Sequence, residues 1–243
     1  MVSTRHHPRD FPQPSATGPN NHAEKDQNGY VVAREWRHTP SVIVTLWLCI
    51  SVPVVLWDAS YVLLRPHSMP GGSLHYIWSP YALYGTIDYI YGWPSWNNRN
   101  GFTGAQSLMN LVETASYLFY LFVLFNYGTA SNHKDKNKSK SASFFDSRRS
   151  IGGKLGAIAL LVAFSASVMT VSKTVLYGLN EACSGFDNVR HNSFWILIFL
   201  WIIPNGLWIV FPSYASFYFG NEILNAIEPP SGLAYTNEDS KSK

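Results

Sequence analysis

Residues 194–219 read FWILIFLWIIPNGLWIVFPSYASFYF, twenty-six positions without one charged side chain. A helix needs about 20 mostly apolar residues to cross a hydrocarbon core of ~30 Å, because lipid offers backbone N–H and C=O groups no alternative partner. Toward the N-terminus three further stretches meet that length, residues 42–64, 103–127 and 155–179. Together the four hold 99 residues but only three of the 33 charged side chains, Asp58, Glu113 and Lys173. Over all 243 residues 14% are charged, against about a quarter in soluble domains. A soluble bundle would need a polar face on each of its helices, so an ordinary soluble enzyme is excluded. The fold class expected is all-α, a polytopic membrane four-helix bundle.

The segments between the spans set the organisation. Residues 1–41 are rich in His, Pro, Asn and charge and read as a disordered tail, as do residues 228–243 within a 221–243 tail. The first 41 residues lack an apolar core, so the first span is expected to target the chain itself. Lys and Arg number five in the N-terminal tail, seven in the 128–154 segment and two in the C-terminal tail, against Arg65, Arg99 and Arg190 in the two opposite loops. That asymmetry predicts cytosolic termini and a cytosolic, basic 128–150 loop, with residues 65–102 and 180–193 in a lumen. The sequon Asn137-Lys138-Ser139 then stays unmodified. Four alternating lysines, Lys134 to Lys140, read as a solvated linker or as contacts to anionic head groups. The sequence pI of about 8.8 therefore calls for no nucleic acid. Cys49 falls within a span and Cys183 in a loop, so no disulfide, metal site or cofactor is expected.

An ionisable group in hydrocarbon costs several kcal/mol and normally faces the bundle interior. With the assigned directions Asp58, Glu113 and Lys173 fall in one depth zone. Gln106, Asn110, Glu113, Tyr117 and Tyr120 are spaced four, three, four, three, which places them on one helical face. Trp201, Asn205, Trp208 and Pro212 repeat that rhythm in the fourth span. Two such stripes either glue helices together or line a cavity. Two carboxylates and one ammonium leave one acid without a cation, and a spare buried acid suits proton transfer. Lys173 itself reads as a pairing or snorkelling residue. Pro53, Pro204 and Pro212 remove backbone donors and permit kinks. Between the first two spans HYIWSPYALYGTIDYIYGWPSW, residues 75–96, is too polar to span but dense in Tyr and Trp. It is expected to lie at the membrane interface as a lid or interfacial helix, with His75 a surface residue or an acid-base group at the pocket mouth.

These residues resemble a known family. Leu176-Tyr177-Gly178-Leu179-Asn180-Glu181, Gly185-Phe186, and Pro204-Asn205-Gly206-Leu207-Trp208 with Pro212 are similar in spacing to the LY-x-L-x-E, GF and N-x-L-W pattern of the emopamil-binding protein group of the EXPERA superfamily. Those are four-helix membrane proteins that include a sterol Δ8 to Δ7 isomerase and the sigma-2 receptor. Trp78 and Tyr81, Asp88 and Tyr91, and Val112-Glu113-Thr114 with Ser116 resemble the family's W-x-x-Y, D-x-x-Y and E-T segments. The resemblance covers about residues 45–220. It implies that Asp58 and Glu113 handle the proton and that Asn205 and Trp208 help line a sterol cavity. The family's isomerases place a His one turn before a first-span Glu; this chain has Val54 and the shorter Asp58.

The function expected is a membrane-embedded isomerase or cyclase, in the endoplasmic reticulum, that protonates and deprotonates a hydrophobic sterol-, terpenoid- or polyketide-like substrate. Asp58 and Glu113 are the candidate catalytic residues. Asn110, Ser116, Tyr117, Lys173, Glu181, Trp201, Asn205 and Trp208 are the candidate substrate-binding residues. Aromatic faces such as Trp208, Trp201 or Tyr117 would stabilise a developing cation. The alternative is a non-catalytic sterol- or lipid-binding or trafficking protein, with Asp58 or Glu113 holding an amine or hydroxyl. A channel or transporter has too few polar groups for a continuous path. The partners expected are a hydrophobic small molecule or sterol and the lipid bilayer, and a homo-oligomer stays open.

Overall fold

In the computed structural model, which describes residues 36–130 and 149–227, the apolar stretches form four long helices. They are α1 (Val42–Leu63), α4 (Phe102–Tyr127), α5 (Gly153–Cys183) and a fourth that begins as α6 (Phe194–Leu197), passes through a π-helical segment (Ile198–Ile202) and continues as α7 (Ile203–Ile227). All four are long and apolar enough to cross a membrane. The chain is an integral membrane protein of the all-α class. The 1–35 part of the N-terminal tail, the sequon with its lysines, and residues 228–243 lie outside the described residues.

Local chemistry sets the helix boundaries. Ser41 caps α1, its hydroxyl accepting from the Val44 N–H at 3.2 Å, as small polar N-cap residues do. Pro66 follows the end of that helix, where the ring cannot continue it. At 31 residues α5 is about 46 Å long, more than the hydrocarbon core needs. It outruns the expected 155–179 span at its far end, and Glu181 lies in that extension. Pro204 has no N–H to return to the Leu200 carbonyl. Next to that gap the Ile203 N–H reaches the Ile198 carbonyl, the wider i to i−5 step of a π turn.

Packing is tight in one half of the bundle and loose in the other. The α4 helix lies against both α1 and α5 along their lengths. By contrast, the apolar window of the Phe194–Ile227 span contains no buried residue. Only its distal part closes on the bundle, where Pro212, Ala215 and Phe219 are buried and Ser216 bonds Ser167 at 3.0 Å. Nearer the π segment, contact with α1 runs through aromatic rings, with Trp47 stacked on Phe211 at 4.5 Å and edge-on to Trp208 at 5.1 Å. The fourth helix is thus splayed, closed at one end and propped open at the other.

At the closed end three very short strands clasp the helix termini, β1 (Arg37–His38), β2 (Thr129–Ala130) and β3 (Arg149–Gly152). They form an antiparallel ribbon in the order β1-β3-β2, with His38 opposite Ile151 and Thr129 opposite Ser150. Two to four residues are too few for an alternating pattern to register in sequence. The ribbon fixes the fully buried His38, whose Nε2 meets the Tyr120 hydroxyl at 2.9 Å and whose Nδ1 meets Glu222 at 3.3 Å. Burial holds this imidazole below its ordinary pKa, with Glu222 opposing the shift.

At the open end residues 65–101 fold over the bundle as a 3-10 turn (His75–Trp78) and two short helices, α2 (Pro80–Ile87) and α3 (Trp93–Asn97). This is the aromatic segment expected at the interface, broken into pieces rather than one helix. Trp78 donates to the Trp57 carbonyl at 2.8 Å, Trp57 donates to the Ile77 carbonyl at 3.2 Å, and Tyr81 stacks on Tyr61 at 3.9 Å. His75 bonds the Ser68 carbonyl at 3.1 Å. The chain can turn back on α2 only because Gly92 presses directly on Gly85, where a Cβ on Gly92 would overlap the Gly85 carbonyl oxygen. Gly178 on α5 has open space around it. Gly92→Ala should therefore lose about 1–3 kcal/mol, whereas Gly178→Ala should be neutral or gain up to about 1 kcal/mol. Thermal unfolding of the detergent-solubilised protein checks the contrast, and equal behaviour of the two variants would contradict it.

Candidate functional site

The wedge between the splayed fourth helix and the bundle is a cavity of about 460 Å³, within the range of small-molecule sites. Its floor and sides come from α1, α4, α5, the π segment and the start of α7, and α2 roofs it. Three of its lining residues, Val54, Leu83 and Leu200, are exposed on the outer surface. The cavity is therefore open along this margin, between α1, α2 and the fourth helix. Apolar surface dominates the wall, but the aromatic share is large: Trp57, Tyr81, Tyr84, Tyr91, Tyr177 and Trp208.

The three intramembrane charges divide unequally around this space. Lys173 is buried and donates to Glu113 Oε2 at 3.1 Å and, in a shorter contact, to Asn110 Oδ1. Thr170 donates to the same Glu113 oxygen at 2.9 Å while Tyr117 shares a 3.1 Å bond with Thr170. Glu113 Oε1 has no hydrogen-bond partner among the described residues. Glu113 borders a second cavity of about 10 Å³, the size of one water. Lys173 and Asn110 line the large cavity and Glu113 does not. Asp58 lines it from α1 and has no ion pair among the described residues. Its carboxylate accepts from the Tyr81 hydroxyl. Burial, then the Asp58 charge, push the Tyr81 phenol above its ordinary pKa and keep it a donor.

A third carboxylate holds the roof in place. Asp88, at the end of α2 and fully buried, accepts from the Ile90 N–H at 3.1 Å, from Trp201 Nε1 at 2.8 Å and from the Tyr177 hydroxyl. One side chain thereby ties α2 to α5 and to the π segment. Burial raises its pKa to about 6 against the pull of Tyr177, Ile90 and Trp201, and Glu181 adds to the rise. Tyr84 packs edge-on against Tyr81 at 5.9 Å and Tyr91 at 5.2 Å, and Tyr177 reaches Asp88, so the tyrosine wall meets this anchor through Tyr177. Glu181, also fully buried, accepts from Asn188, and its Oε2 has no hydrogen-bond partner among the described residues.

The residues expected from sequence are thus sorted. Asp58, Asn110, Lys173, Asn205 and Trp208 line the large cavity. Glu113 and Tyr117 sit one layer behind, at the small cavity. Trp201 points at Asp88, Ser116 turns its hydroxyl to the Val112 carbonyl at 2.9 Å, and Glu181 belongs to the roof anchor. Those last three lie off the cavity wall. Tyr81, Tyr84, Tyr91 and Tyr177 line it without having been assigned a role. Spacing carried their signal: Tyr81, Tyr84 and Asp88 run three and four apart, as do Thr170, Lys173, Tyr177 and Glu181. No protein-family model, curated protein or solved structure matches this chain, so the chemistry rests on this geometry.

Removing one partner of a buried ion pair strands the other charge. Lys173→Met should destabilise the protein by about 3–5 kcal/mol, and adding Glu113→Gln should recover most of that loss. A double-mutant cycle from thermal unfolding reads the coupling; additive losses would mean that the two charges do not support each other. Asp88 makes a pH prediction. A folded-state pKa near 6 against 3.8 unfolded gives a contribution fully present below pH 3.8 and lost as pH rises through 6. Unfolding free energy should fall by about 3 kcal/mol between those limits, and Asp88→Asn should remove that part of the slope. The difference between the two profiles isolates Asp88 from His38 and the other titrating groups; superimposable profiles would contradict the assignment.

Proposed function

We propose that this protein is an isomerase or cyclase of the membrane that moves a proton on a hydrophobic sterol-, terpenoid- or polyketide-like molecule, as its resemblance to the emopamil-binding protein group implies. The observation that carries the reading is Asp58: a carboxylate that makes no ion-pair contact among the described residues, in the wall of an apolar, aromatic cavity. Such a group can hold a proton or take one, and a proton-transferring side chain is worth about 10² to 10⁴ in rate. Glu113, engaged by Lys173 and Thr170 behind the wall, acts through Lys173 rather than on the substrate. This shifts the proton-handling role, shared at first between the two acids, to Asp58. The sideways opening supports a substrate delivered from lipid, and the Tyr and Trp lining supports a large, polyunsaturated or polycyclic body. The Lys and Arg asymmetry supports cytosolic termini, and the resemblance supports residence in the endoplasmic reticulum.

Mass spectrometry of lipid extracts tests the reading, in host cells that lack the chain, express it, or express Asp58→Asn. An isobaric or dehydrated lipid pair should change ratio with the intact chain, and the rate should fall at least about 100-fold with Asp58→Asn. If instead a lipid copurifies unaltered with both forms and no pair shifts, the isomerase reading fails and sterol or lipid binding replaces it.

A further inference from the structure

The polar groups of the large cavity are not scattered. Gln106 and Asn110 on α4, with Lys173 and Thr174 on α5, form one polar patch, and Asp58 approaches from α1. Gln106 is fixed by its bond to the Lys173 carbonyl at 3.1 Å. Lys173 and Asp58 are close enough to interact electrostatically without being in ion-pair contact. An ammonium has three donors. Two are taken by Glu113 and Asn110, and the third has no acceptor among the described residues.

The sign of the charge at this patch discriminates between two kinds of proton transfer. Protonating an isolated alkene generates a carbocation, which a neighbouring ammonium destabilises. Removing a proton next to a carbonyl generates an enolate, which the ammonium stabilises at the oxygen. Glu113 already balances Lys173, so a neutral oxygen is accommodated before the reaction and gains a stronger donor as charge develops. Aspartate as base, with donors fixed at a developing oxyanion, is an established solution to this chemistry.

We propose that the substrate is a hydrophobic ketone with a non-conjugated double bond one carbon away, its carbonyl oxygen received by Lys173 and its proton moved by Asp58. This rests on the proton-transfer reading above and specifies its substrate class. Asp58 takes the proton from the carbon between the carbonyl and the alkene. That C–H pair becomes the new C=C, and the carbonyl π pair moves to oxygen as a dienolate held by the Lys173 N–H. The dienolate then re-forms C=O while its far carbon takes the proton back from Asp58, giving the conjugated ketone with no change in composition.

A steroid-sized fluorescent naphthol, whose anion mimics the dienolate, probes this directly. It should bind the purified full chain with the emission of the ionised form, and its methyl ether should bind roughly ten- to a hundredfold more weakly. Lys173→Met should lose that preference. Because that variant strands Glu113, Lys173→Met with Glu113→Gln provides the folded control and should lose it equally. Asp58→Asn should bind the naphthol at least as tightly, since an opposing negative charge is gone. Equal affinity for naphthol and ether, or a preference untouched in the double variant, overturns the carbonyl assignment. Asp58-dependent deuterium exchange into an alkene without a carbonyl would then leave the proton-transfer reading standing alone. Naphthol recognition through Lys173 with no Asp58-dependent exchange on any unsaturated ketone overturns both.

Discussion

Within the spans the arithmetic is two acids against one amine, and burial makes that imbalance consequential. A lone charge in a low-dielectric interior is expensive, whereas a hydrogen-bonded pair recovers much of the cost. Lys173 can serve one carboxylate closely, and it serves Glu113, with Thr170 and Asn110 completing the cluster. The pairing bridges α4 and α5 inside the tightly packed half of the bundle. It leaves Asp58 facing the cavity with a phenol rather than a cation for company. Which acid faces the cavity without an ion pair among the described residues is therefore a consequence of which acid the lysine can reach.

The cavity exists because the fourth helix departs from the bundle, and specific residues cause the departure. Buried Ala215 and Phe219 allow close approach at one end, while Trp47, Trp208 and Phe211 hold the helix off nearer the middle. Trp201, within the π segment, reaches Asp88, while Asn205 and Trp208, in the α7 turns that follow, line the cavity. Asp88 closes the arrangement from above, since its three donors come from the roof, α5 and the π segment. A roof held by a carboxylate rather than by apolar contact stays registered to the helices over a surface too polar to bury.

Much of this was legible in sequence, and for a physical reason. Helical periodicity is a local property, so the stripe of Gln106, Asn110, Glu113, Tyr117 and Tyr120 and that of Trp201, Asn205, Trp208 and Pro212 could be read directly, and both stripes do turn inward. The lengths of the spans followed from the hydrocarbon thickness. Depth and partner choice are not local. Whether Glu113 or Asp58 takes Lys173 depends on how far α4 and α5 are slid past one another, which no spacing within one helix encodes. Asp88 was visible as part of a resemblance but not as an anchor, because its donors lie 89 and 113 positions away. The β1-β3-β2 ribbon escaped because its strands are shorter than any alternating pattern.

Rigid and loose parts of the bundle carry different duties. The groups that must be placed accurately, Lys173, Asn110 and Gln106, belong to α4 and α5, whose interface is long and whose polar atoms are cross-linked. Val54, Leu83 and Leu200 stand at the exposed margin of the cavity, on α1, the roof and the fourth helix. A hydrophobic molecule moving in from that margin displaces lipid rather than water, so apolar transfer contributes little to its affinity. Selectivity must then come from the polar patch at the inner end, where an unmatched donor in a dry wall is costly and a single oxygen atom satisfies it. On the proposed reading, recognition is thereby tied to the functional group at which the proton would move, and the hydrocarbon body is left to be read by shape.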